Sequence, residues 1–181
     1  MNPSRTVREQ VGRTIAQMGF QRTGRGRWSK VINGDITLGI DFDIVNNSCD
    51  RFTSAQVTVS STKLQSLHDP GGSVGMSITY ACISVAQHLS NEGHLAYPDS
   101  EETALNLVRT ITDALKTILS GLEPITDGEQ LLSYIYEHPA TSMVSAKVLS
   151  YFRALLAGEI DHKQFPNWRA YANHLEKSRD R

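Results

Sequence analysis

Residues 28–44 read WSKVINGDITLGIDFDI. From Asp35 to Ile44 the chain alternates strictly, with Ile36, Leu38, Ile40, Phe42 and Ile44 in one phase and Asp35, Thr37, Gly39, Asp41 and Asp43 in the other. A period of two places the first set on one face of a β-strand and the second on the opposite face. Asn33-Gly34 immediately before it tolerates the positive φ angles of a tight turn, so the segment predicts a hairpin with Trp28–Ile32 as the partner strand.

The turn type sets the register and hence the place of Trp28. A two-residue turn puts Trp28 opposite Gly39, on the acid-bearing face, where it would serve as a recognition anchor. A three-residue turn with a glycine bulge puts it opposite Leu38, in the core. The core reading is favoured, because burying a tryptophan is worth on the order of a few kcal/mol.

Upstream, Val7, Val11, Ile15 and Met18 recur at spacings of four, four and three, which predicts an amphipathic helix over Ser4–Met18 with a Thr6/Glu9 capping box and Gly19 as its stop. Downstream, Thr53, Ala55, Val57 and Val59 mark a third strand. Asp69-Pro70-Gly71-Gly72 marks a turn, and Val74, Met76, Ile78 and Tyr80 open a fourth strand. The apolar phase then shifts to Ala81, Ile83 and Val85, as at a bulge or a second short element.

After Pro98 the period becomes helical. Asp99 and Glu102 offer capping chemistry for a long helix with the stripe Leu105, Val108, Ile111, Leu115, Ile118 and Leu122. Shorter helices follow over Asp127–His138, Ser142–Ala157 and Pro166–Lys177. Tyr134, Tyr136, Tyr151, Phe152, Trp168 and Tyr171 fall at helical positions suited to packing between helices. Helix, consecutive strands, then consecutive helices is the segregated order of an α+β fold. The expected architecture is one α+β domain over residues 1–181. An N-terminal helix packs on an antiparallel four- to five-stranded sheet (1–98), and a C-terminal bundle of about four helices (99–181) follows.

The chain has 181 residues, 39% of them hydrophobic and 20% charged, which suits a globular domain able to bury a core without staples. A formal net charge of -1 gives no global field toward nucleic acid or an anionic membrane, so neither partner is expected. Cys49 and Cys82 stand alone and read as free thiols. No leader or membrane span is visible, and a cytoplasmic location is expected.

Asp35, Asp41 and Asp43 share a strand phase and could hold a cation or a partner, although a solvated polar face explains them more simply. Arg22, Arg25 and Arg27 with Gly24, Gly26 and Trp28 form a basic, glycine-rich step of the kind that contacts anions. No histidine pair has metal-ligand spacing, His88 and His94 flank an Asn91–Gly93 turn, and no nucleophile elbow or phosphate loop is present. No catalytic residue, metal or cofactor is assigned.

The helix ending in Met18-Gly19-Phe20, the basic step to Trp28, Asn33-Gly34 with the Ile36–Phe42 strand, and the helix Thr103–Leu119 together resemble a loose group of bacterial domain-of-unknown-function proteins. The likeness spans most of the chain. It implies a small non-enzymatic partner protein, such as an immunity protein encoded beside a polymorphic toxin, and it transfers no functional residue.

The leading expectation is therefore a protein-binding module that neutralises a cognate toxin. Its contact residues would be Asp35, Asp41, Asp43 and Trp28, with Asn47 and Asp50 from the neighbouring loop, because acids complement a basic partner. Two other readings stand. One is a small enzyme acting on a phosphorylated or nucleic-acid substrate through Arg22, Arg25 and Arg27. The other is a secretion or folding chaperone, monomeric or homodimeric.

Overall fold

A strand that is apolar at every second position must bury one face, and helices supply the cover. In a computed structural model, which describes residues 2–68, 78–90 and 94–179, helix α1 (Pro3–Gln17) precedes β1 (Gln21–Gly24), β2 (Arg27–Val31), β3 (Ile36–Asn46) and β4 (Arg51–Ser61). Then come α2 (Thr62–His68), β5 (Ala81–Ser84), α3 (Val85–Ser90), α4 (Glu101–Leu122), α5 (Gly128–Glu137), a 3-10 turn (Pro139–Thr141), α6 (Ala146–Leu156) and α7 (Trp168–Arg179). This is the α+β order expected. The turn at Asp69–Gly72, Val74 and Met76 of the fourth strand, and the Asn91–Gly93 turn lie outside the described residues.

The sheet is a five-stranded meander, β1-β2-β3-β4-β5, with every neighbouring pair antiparallel. β3 and β4 are each 11 residues long and pair from Ile36↔Ser61 to Asn46↔Arg51. Ile36, Leu38, Ile40, Phe42 and Ile44 face inward with Thr53, Ala55, Val57, Val59 and Ser61. α1 and α4 pack together over this face through Val7, Val11, Ile15, Ile111, Leu115 and Ile118. The same set of buried side chains continues through Leu131, Ile135, Tyr151 and Phe152 of α5 and α6, so the core runs from the sheet into the helical half. Among the described residues no helix is long and apolar enough to cross a membrane.

The hairpin register is a correction. Trp28 lies opposite Ile40, neither Gly39 nor Leu38, because Ile32 N donates to Ile36 O and leaves a three-residue loop, Asn33-Gly34-Asp35. Gly34 takes the left-handed conformation at φ 85, as this loop requires. The parity matches that of the Leu38 register, so Trp28 is buried, at 8% exposure.

The helix caps also shift. Asn2, not Thr6, caps α1 by accepting from Arg5 N, and Thr6 is buried one turn in. Ser100 and Thr103, not Asp99 and Glu102, form the capping box of α4. The buried stripe of α4 includes Ala104, Leu107 and Ala114, while Leu105 stands 47% exposed. Of the expected fourth strand, Ile78 and Tyr80 are described and lie outside any strand; the shift of apolar phase at Ala81 is where β5 begins, and α3 follows from Val85.

Candidate functional site

The polar phase of the sheet forms an open face. Arg27, Ser29, Val31, Thr37, Gly39, Asp41, Ser54, Gln56, Thr58, Ser60, Cys82 and Ser84 stand outward, Val31 as an exposed apolar side chain, and the helices described as packing on the sheet do so from the inner side. Half of these outward positions are short hydroxyls, which keeps the centre of the surface low. A Cβ at Gly39 would lie 2.3 Å from the Thr58 hydroxyl, so glycine lets that threonine lean across the strand pair. On this face Arg27 pairs with Asp41 at 3.4 Å. Cys82 donates to Gln56 Oε1 at 3.4 Å, and burial, with the Asp41 charge adding to it, pushes its thiol above the ordinary range.

A second feature opens where β2 gives out. β2 begins opposite Asp41, so β3 from Phe42 onward has no β2 partner, and only Phe42 N reaches the hairpin, donating to Gly26 O at 2.8 Å. Arg8 of α1 fills this margin, donating to Ile44 O at 2.7 Å and meeting Asp43 at 3.3 Å. Between α1 and the β1–β2 hairpin lies a cleft of about 470 Å³, lined by Arg8, Glu9 and Gly12 on one side and by Arg22, Arg25 and Trp28 on the other. Gly12 lets α1 lie close to the indole, since a Cβ there would sit 3.3 Å from it. Gly26 holds the hairpin tip at φ 69, where a Cβ would stand 2.3 Å from Phe42 O.

The sequence-derived candidates therefore divide. Asp41 and Arg27 belong to the open face. Arg22, Arg25, Trp28 and Asp43 border the cleft, and Arg27 is not with the other two arginines. Trp28 presents a packed ring rather than an exposed anchor. Asp35 sits on neither surface. Its carboxylate accepts from Ser61 Oγ at 2.8 Å, Lys63 N at 2.7 Å and Gly128 N at 2.8 Å, tying the hairpin loop to the starts of α2 and α5. Asn47 closes the β3–β4 loop, its side chain accepting from Cys49 N and Asp50 N, with Asp50 exposed at the loop tip.

Sequence reading missed Arg8, a helical residue far from the arginine-rich step. Its signal was Gly12 one turn later, because a glycine inside a helix costs up to ~1 kcal/mol and marks close backbone approach. Among the described residues no three His, Cys, Asp or Glu side chains gather as a metal site needs. No protein-family model, no curated protein and no solved structure matches this chain significantly.

Proposed function

We propose that the protein is a protein-binding module that holds a basic protein partner against its open sheet face, as an immunity protein holds its toxin. The observation that carries this is the flat polar surface of β2, β3 and β4, on which no described helix packs. Ten steps of ~3.3 Å along β3 by the two strand spacings of ~4.8 Å across β2, β3 and β4 give about 300 Å², the centre of an interface whose ordinary size is ~800 Å² per partner, with the bordering loops supplying the rest.

Its chemistry fits the task. Serine and threonine side chains lose little rotamer freedom on docking and offer both donors and acceptors. Asp41 is held by Arg27 in a solvent-exposed pair at 3.4 Å. Such a pair contributes at most about 1 kcal/mol, so a partner's cation can take over this acid.

The test is co-expression with the product of the adjacent gene, followed by size-exclusion chromatography and a growth assay of toxicity. A stable complex that loses both association and protection in Ser54→Arg and Thr58→Arg supports the reading. A complex and protection untouched by both substitutions, or no complex at all, counts against it.

A further inference from the structure

The cleft beside α1 is a second site, chemically unlike the open face. Each of its acids already has an arginine: Glu9 meets Arg5 at 2.7 Å, and Asp43 meets Arg8 at 3.3 Å. Among the described residues Arg22 spends only its Nε, donating to Gly24 O at 3.1 Å, and Arg25 has no acidic partner. Two guanidinium groups thus border the cleft with forks unclaimed by acid, and each fork matches the paired oxygens of a carboxylate or phosphate.

The rest of the lining is of another kind. Ala16, Phe20, Trp28 and Phe42 give it an apolar wall. The backbone that carries Arg25 is fixed in advance by Gly26, whose carbonyl accepts from Phe42 N. A cleft of about 470 Å³ is within the range that small ligands occupy. It is too small and too concave for the flat docking assigned to the open face.

The geometry points to a binding site for a small ligand with an anionic head on a flat apolar body. The head, phosphate or carboxylate, lies between Arg22 and Arg25, and the body lies against the wall formed by Phe20, Trp28 and Phe42. Neither half suffices alone: the arginines are exposed and hold a bare ion weakly, and the wall gives a neutral ring no orientation.

The test is calorimetric titration of the full chain with phenyl phosphate, benzoate, inorganic phosphate and benzyl alcohol, with the two tryptophan indole NMR signals followed in parallel. Phenyl phosphate or benzoate is expected to bind more tightly than the last two probes and to shift the Trp28 signal but not that of Trp168. Whichever aromatic anion binds better identifies the head group. Arg22→Ala with Arg25→Ala, both at exposed positions, is expected to weaken that binding roughly ten- to a hundredfold while circular dichroism shows the fold retained. Binding unchanged in the double variant, equal binding of benzyl alcohol, a shift at Trp168 alone, or no binding of either aromatic anion at millimolar concentration overturns the proposal.

Discussion

Asp35 joins three parts of the chain through one carboxylate, and the Gly128 amide it accepts from lies 93 residues away in sequence. A Cβ at Gly128 would stand 3.0 Å from Ser61 Oγ, so the glycine is part of the same joint. Asp35→Ala strips an acceptor from three donors and is expected to destabilise the fold by about 2 to 4 kcal/mol, read by urea denaturation. An equal loss is not expected for Asp41→Ala, whose partner is an exposed arginine. Alternation alone placed Asp35 with Asp41 and Asp43, because parity reports which way a side chain leaves the strand. It does not report which distant amide waits there. Cys82 gives a second residue-scale prediction. Its thiol is raised by burial and by Asp41, so less of it is thiolate at any given pH. In a Cys49→Ser background, alkylation by iodoacetamide is expected to stay slow through neutral pH and to climb only at more alkaline pH than for an ordinary thiol.

At the scale of elements, legibility followed the strength of the period. β3 and β4 were readable because each buries one face completely, and a two-residue period admits no other assignment. The hairpin loop was not, because Asn33-Gly34 is compatible with more than one turn. The third loop residue is Asp35, and its distant bonds accompany the three-residue form. α4 was readable as a helix but not in its contact stripe. It packs against α1, the sheet and α3, so its buried arc is wide enough to take in Ala104 and Ala114 beside Ile111 and Leu115. Ile111→Ala is therefore expected to cost about 2 to 5 kcal/mol in chemical denaturation, and Leu105→Ala to change stability by less than about 0.5 kcal/mol. The arginine cleft was half legible. Arg22 and Arg25 stand in an obvious basic step, but Arg8 and the indole contact at Gly12 come from a helix whose position no local pattern gives.

Across the whole molecule, α1 and α4 cover one face of the sheet, and the helical half extends the same core through Tyr151 and Phe152, the latter edge-on to Tyr80. Continuous packing of this kind couples the two halves, so thermal unfolding followed by far-ultraviolet dichroism and by tryptophan fluorescence is expected to give coincident single transitions. Two separated transitions would mean that 99–181 unfolds by itself. The arrangement also divides the outer surface by chemistry: a flat hydroxyl-rich face on one side of the sheet, and an arginine cleft with an aromatic wall at its margin. The most direct measurement of the central proposal is an NMR titration of the isotope-labelled protein with the product of the adjacent gene. Docking on the open face predicts that the largest shifts fall on Thr37, Asp41, Gln56 and Thr58. Shifts confined to α5, α6 and α7, with those four residues unmoved, would contradict it.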